Sequence, residues 1–153
     1  MTIEKATQLC VKAHAGQFRR DGKPYHTHPM AVAAMVDDDH KPAALLHDVF
    51  EDCEGWSLYC SMNGTNHYIV EPDGTEHQIE YELYDVLLLL THDKESISYD
   101  KYITDIADDY AYHQSINALP VKIADLFHNI SDMATDANKK KYMKAMKVLL
   151  AEL

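Results

Sequence analysis

Cysteine is scarce in this chain, and the three present, Cys10, Cys53 and Cys60, form no Cys-x-x-Cys pair. That spacing argues against a thiolate metal site and for free thiols in a reducing, cytoplasmic setting. Positive charge is also short: 14 Lys and Arg stand against 25 Asp and Glu, a net charge of −11. A general nucleic-acid surface, which needs clustered cations, is disfavoured. A small phosphorylated ligand is still permitted, because part of the negative excess would be neutralised on a bound metal. No apolar run approaches the roughly 18 residues of a membrane span. The opening Met1-Thr2-Ile3-Glu4-Lys5-Ala6-Thr7-Gln8 lacks the basic-then-apolar order of a signal peptide. Repeats, low-complexity tracts and interdomain linkers are missing as well, so residues 1–153 read as one domain. The sequence gives no oligomeric state.

What is there is mostly helical pattern. The apolar fraction of 46% supports a packed core. Ile3, Ala6, Leu9, Cys10 and Ala13 recur at helical spacing, and Gly16, Gly22 and Pro24 punctuate a loop after them. Pro29 suits the first turn of a helix running to about Val36. Asp37-Asp38-Asp39 interrupts, and Pro42 opens a helix that carries His47-Asp48. Helical pattern returns over about 83–90, 99–108, 119–133 and from 138 to the C-terminus. Residues 55–80 differ in kind: Tyr59, Tyr68, Ile69 and Val70 favour strands, and Asn63-Gly64 and Pro72-Asp73-Gly74 are turn chemistry. The segments 66–71 and 75–80 predict a β-hairpin. The expected fold class is all-α, a helical bundle with a β-hairpin insertion around residues 55–80.

The chemistry concentrates in Ala-Ala-Leu-Leu-His-Asp-Val-Phe-Glu-Asp, residues 43–52. Two good ligands inside an apolar run, followed by two carboxylates, need a partner to offset burial, and a divalent cation would be one. On a continuous helix His47 aligns with Glu51, and Asp48 with both Glu51 and Asp52. The same spacing puts Asp125 and Asn129 on one face. Imidazole with carboxylates suits Mn²⁺, Fe²⁺ or Zn²⁺ better than Ca²⁺. His92-Asp93 lacks flanking carboxylates and reads as a helix end. His26 and His28 are alternatives two residues apart. His14, His40, His67, His77 and His113 lack ligand spacing, and His128 is favoured as structural. Lys139-Lys140-Lys141 reads as a solvated helix face.

Four segments together resemble one family. They are Ala13-His14-Ala15-Gly16-Gln17-Phe18-Arg19, Gly22-Lys23-Pro24-Tyr25-His26-Thr27-His28-Pro29, residues 44–52, and Val121-Lys122-Ile123-Ala124-Asp125-Leu126-Phe127-His128-Asn129. In this order they look like the HD-domain hydrolases of guanosine tetraphosphate, and the chain's length favours the stand-alone small alarmone hydrolases over the bifunctional synthetase/hydrolases. The resemblance implies that His28, His47, Asp48 and Asp125 hold one Mn²⁺, or another divalent transition ion. It implies that Glu51 and Asp52 serve the hydrolytic step, and that Arg19 and Asn129 organise the site and hold the nucleotide. Arg19, Arg20 and Lys23 lie in one loop and could supply charge to phosphates or a stacking plane for a base, and Lys122 is a further candidate for binding the substrate. The implied reaction removes the 3′-pyrophosphate from (p)ppGpp.

Two positions depart from the family. Asp21 stands where a small polar residue is frequent, and could accept hydrogen bonds from guanine or simply close a turn. Ser131 stands where many members carry Arg, which removes a charge from the ligand side. The hairpin could cap or narrow the pocket. Two other readings follow from these departures: a phosphohydrolase of another nucleotide or phosphate ester, and a non-catalytic nucleotide-binding protein.

Overall fold

Thr2 caps the first helix, its hydroxyl accepting from the Lys5 backbone N–H at 3.2 Å, and Ile3–Ala13 follows as α1 with Ala6, Leu9 and Cys10 turned inward. The computed structural model describes residues 1–112, 116–132 and 135–153, with the side chains of 111 and 112 left aside. The remaining elements are α2 (Thr27–Ala33), α3 (Lys41–Leu46), α4 (Val49–Asp52), β1 (Ser57–Cys60), β2 (His67–Val70) and β3 (Glu76–Ile79). They are followed by α5 (Tyr81–Leu90), α6 (Tyr99–Tyr112), α7 (Ala118–Ser131) and α8 (Asp136–Leu150). His113 and the expected helix end at Met133 lie outside the described residues.

Helix α7 is the hub. Asn117 caps it by accepting from Leu119 N–H at 3.1 Å, and α7 contacts α2, α3, α5, α6 and α8. Its Leu119, Val121 and Leu126 meet Leu46, Leu87 and Ile106 in one buried cluster. Because Asp125 shares α7 with these apolar residues, the core itself holds that carboxylate in place.

The all-α expectation is corrected: the fold is mixed α/β, with helices dominant and a three-stranded antiparallel sheet in the order β1-β2-β3. The hairpin lies where the turn chemistry put it, with Ile69 opposite His77 and His67 opposite Ile79. Gly74 closes its turn at φ +85°, a conformation that favours glycine. The strand the sequence reading passed over is β1, which pairs Tyr59 with Tyr68 and Ser57 with Val70. It spans four residues with only Leu58 and Cys60 half-buried, too short for period-two alternation to stand out. The sheet's inner face buries His67, Ile69 and Ile79, and the His67 ring lies 4.6 Å from Tyr84 of α5.

A second correction concerns the helix expected to run from Pro42 through Asp52. It breaks at His47-Asp48, leaving α3 and a single-turn α4. The His47 ring Nδ1 donates to the Ala44 carbonyl at 2.7 Å, so a side chain takes an acceptor that a continuing helix would give to the Asp48 N–H. Helix α2 ends at Ala33, short of Val36, and α6 runs beyond Asp108 to Tyr112.

Candidate metal centre and its cleft

His28 comes from α2, His47 and Asp48 from the break between α3 and α4, and Asp125 from α7. One ligand atom from each of His28, His47 and Asp125 lies within 4.8 Å of the others. Asp48 completes the convergence, with Oδ1 3.2 Å from His47 Nε2 and Oδ2 3.5 Å from His28 Nε2. His26, the alternative to His28, stays outside this cluster as the residue before α2.

The local hydrogen bonds decide what can sit between these atoms. A carbonyl only accepts, so the 2.7 Å contact with Ala44 fixes the proton of neutral His47 on Nδ1. Its Nε2 is then a lone pair, buried and aligned with no donor, 3.2 Å from Asp48 Oδ1 and 3.6 Å from Asp125 Oδ1. Acceptor facing acceptors requires a cation, whether a proton or a metal ion. Burial alone would push the His47 imidazole down, yet Asp48 and Asp125 outweigh it and hold the ring well above its usual range. Burial works to raise both carboxyls, but Lys122 and the imidazoles hold Asp125 well below the usual range, and His47 does the same for Asp48. The donor set therefore fits a borderline divalent ion.

Partners outside the cluster fix its geometry. His28 Nδ1 meets His128 Nδ1 at 2.8 Å, which orients His28 Nε2 toward Asp125, 3.1 Å away. His128 thus braces a candidate ligand. Asp125 accepts from Asn129 Nδ2 at 2.6 Å and from Lys122 Nζ at 2.8 Å. The Tyr25 hydroxyl lies 2.9 Å from Asp48 Oδ2 and 3.2 Å from Asp52 Oδ2. Burial, and then these two carboxylates, push the Tyr25 pKa far up, so the hydroxyl keeps its proton and donates. Glu51 accepts from the His92 backbone N–H at 2.8 Å and pairs with Lys94 at 3.1 Å. Burial, then Asp48 and Glu51, raise the Asp52 carboxyl.

A cleft of about 310 Å³ opens over the cluster, with Glu51, His92, Lys94, Lys122, Asn129 and Lys141 on its walls. A second cavity of about 230 Å³ holds Phe18, Arg19, Arg20 and Asn138, and shares Tyr25, Asn129 and Tyr142 with the first. Arg19 in it is paired to Asp132 at 2.6 Å.

Not every residue singled out in the sequence reaches these cavities. Asp21 and Lys23 line neither. Asp21 accepts from the Lys23 backbone N–H at 3.1 Å across Gly22, the turn-closing arrangement. Asp52 accepts from the Tyr25 hydroxyl and lines neither cavity, while Glu51 is on the wall of the cleft. The hairpin expected to cap the pocket contributes no lining residue to either cavity. Ser131 donates to the Phe127 carbonyl at 2.8 Å and is exposed.

Sequence reasoning passed over Tyr25, Lys94, Lys141 and Tyr142. Tyr25 lay inside the quoted segment before His28. Lys94 follows His92-Asp93, a dipeptide read only as a helix end. Lys141 was counted with the solvated lysine run.

No protein-family model matches the chain. It is similar to a probable GTP pyrophosphokinase of Mycobacterium leprae, with 33% identity over 156 residues, covering 96% of this chain and 18% of that protein. It is similar to the guanosine-3′,5′-bis(diphosphate) 3′-pyrophosphohydrolase of Haemophilus influenzae, with 58% identity over 45 residues, 26% of this chain and 7% of that protein. The bifunctional (p)ppGpp synthase/hydrolase SpoT of Escherichia coli K12 shares 53% identity over 55 residues, 33% of this chain and 8% of that protein. The chain thus spans between 7% and 18% of the length of these relatives. By sequence it is related to the guanosine-3′,5′-bis(diphosphate) 3′-pyrophosphohydrolases, of which it covers one segment.

Proposed function

We propose that this chain hydrolyses the 3′-diphosphate of a guanosine nucleotide of the (p)ppGpp type, with Mn²⁺ or a similar divalent ion. The observation that carries the reading is the lone pair of His47 Nε2 set against two carboxylates, with His28 completing the donor set. His28, His47, Asp48 and Asp125 would hold the ion. Bound there, it would make water acidic enough to deprotonate and would polarise a phosphoryl oxygen.

The chain's own groups would do the rest. The oxygen of water forms a bond to the phosphorus on the 3′-oxygen, and the bond from that phosphorus to the 3′-oxygen breaks. The water proton passes to Glu51 or Asp52, and a proton ends on the 3′-oxygen, giving pyrophosphate and GDP or GTP. Glu51 is pre-positioned by the His92 N–H and Lys94. The raised carboxyl of Asp52 brings its proton affinity closer to neutral, which suits proton exchange. The two cavities share Tyr25, Asn129 and Tyr142, so one can take the scissile group while the other takes the nucleoside.

The test is incubation of purified protein with ppGpp and Mn²⁺, with GTP and GDP in parallel and products resolved. Pyrophosphate and GDP, lost on chelation, are expected. No turnover by protein that retains Mn²⁺ would move the reading to another nucleotide or phosphate ester. Loss of turnover in Glu51→Ala and Asp52→Ala, with metal binding kept, separates an enzyme from a nucleotide-binding protein.

A further inference from the structure

Three lysines from three separate elements converge on the 310 Å³ cleft: Lys94 from the α5–α6 connection, Lys122 from α7 and Lys141 from α8. Their circumstances differ. Lys94 is paired to Glu51 at 3.1 Å and Lys122 to Asp125 at 2.8 Å, so each has a carboxylate of its own. Lys141 has no carboxylate partner among the described residues. Its Nζ rests over the Tyr99 ring, 3.7 Å from the centroid. A ring face holds an ammonium in place but does not neutralise it, and it leaves N–H groups free. Partial burial, then Lys122 and Lys94, lower the Lys141 pKa, against a smaller opposing pull from Asp100, a carboxylate that is itself paired to Lys144.

Their contacts sort the lysines further. Lys122 bonds a candidate ligand directly, and Lys94 touches Glu51 at the wall. Lys141 and Lys94 are both exposed on that wall, toward its mouth, but Lys94 is held there by Glu51 whereas Lys141 is in no ion pair among the described residues. A phosphorus held at the centre and bearing a second phosphate would direct that outer group away from the carboxylates. The free cation at the mouth has the right sign and position to receive it.

We infer that Lys141, steadied by Tyr99, is the specificity residue for the outer phosphate of a diphosphate group, and that it selects 3′-diphosphates over 3′-monophosphates. This rests on the hydrolysis reading above for the identity of the substrate, but the anion contact itself does not require turnover. Lys139 and Lys140 line neither cavity and serve as controls.

The experiment has two arms. In steady-state kinetics with ppGpp, Lys141→Ala should raise KM roughly ten-fold, the effect of losing one charge-assisted contact, with kcat nearly unchanged. Lys141→Arg should recover most of the loss, and Lys140→Ala should leave KM as it was. In the second arm, inorganic pyrophosphate and inorganic phosphate are titrated onto wild-type and Lys141→Ala protein by calorimetry. Pyrophosphate binding should weaken in the variant and phosphate binding should not. Equal pyrophosphate affinity in the two proteins would overturn the inference even if ppGpp is turned over. A selective loss of pyrophosphate affinity in a protein that leaves ppGpp intact would sustain the inference and overturn the substrate reading. A fall in kcat at constant KM would also overturn it, by making Lys141 part of the chemical step.

Discussion

At the scale of single residues, the Tyr25 hydroxyl does two jobs with one proton. It lies within hydrogen-bond distance of a candidate metal ligand, Asp48, and of the candidate proton carrier, Asp52. Tyr25→Phe keeps the ring against His14 and removes only the donor. A hydrogen bond to a charged group is worth about 1.5–3 kcal/mol, so kcat should fall by roughly ten-fold or more while circular dichroism is unchanged. His47→Ala should abolish Mn²⁺ binding measured by metal analysis. It should also remove the rise in melting temperature that Mn²⁺ gives, which corresponds to about 2.7 kcal/mol at a hundred-fold excess over Kd. Asp52 gives a pH prediction with a definite sign. Its folded-state carboxyl is raised, so its ionisation works against the fold once pH rises above the ordinary value of 3.8. Metal-free Asp52→Asn should therefore melt higher than wild type at neutral pH, and the gain should vanish as the pH falls below that value. These residues were unequally legible. His47-Asp48 stood out because an apolar run rarely carries two ligands. Tyr25 did not, because nothing in a tyrosine's neighbours in sequence tells which carboxylates lie across the fold.

At the scale of elements, helix α7 supplies Lys122, Asp125, His128 and Asn129, which explains why spacing alone placed Asp125 and Asn129 together. The same argument failed for residues 43–52. Spacing treats a helix as unbroken, and the bond from the His47 ring to Ala44 competes with the backbone there. Asp48 and Glu51 still meet because the break leaves both on the wall of one cleft, with His47 buried beside Asp48. The sheet was half legible: glycine turn chemistry marks β2–β3, whereas the short β1 depends on pairing partners that lie across a longer connection. Two substitutions test its packing. Ile69 is fully buried, and Ile69→Ala should cost about 2–5 kcal/mol in chemical denaturation. Gly55, at φ +79°, would place an added Cβ 3.0 Å from the Pro72 Cβ, where the start of β1 meets the β2–β3 turn. Gly55→Ala should therefore lower stability by about 1–3 kcal/mol in the same assay.

At the scale of the whole molecule, a chain of net charge −11 gathers Lys94, Lys122 and Lys141 into one cleft and sets Arg19 and Arg20 in the cavity beside it. Composition alone pointed away from polyanions, because a sum of charges carries no information on where they stand. An anionic substrate approaches a repelling surface with one attractive opening. Raising salt from about 0.05 to about 0.5 M screens both, but weakens the short-range pull at the opening less than the long-range repulsion. The apparent association rate of a pyrophosphate-bearing ligand, followed by stopped flow, should therefore rise with salt over this range. The sheet stands outside this arrangement, since neither cavity draws on it. Its β1–β2 turn carries Met62 fully exposed, and Gly64 there has open space around it. That turn is consequently a natural attachment point: a small reporter protein spliced after Met62 should leave the proposed ppGpp hydrolysis at the rate of the unspliced chain, offering a handle on the molecule away from its candidate site.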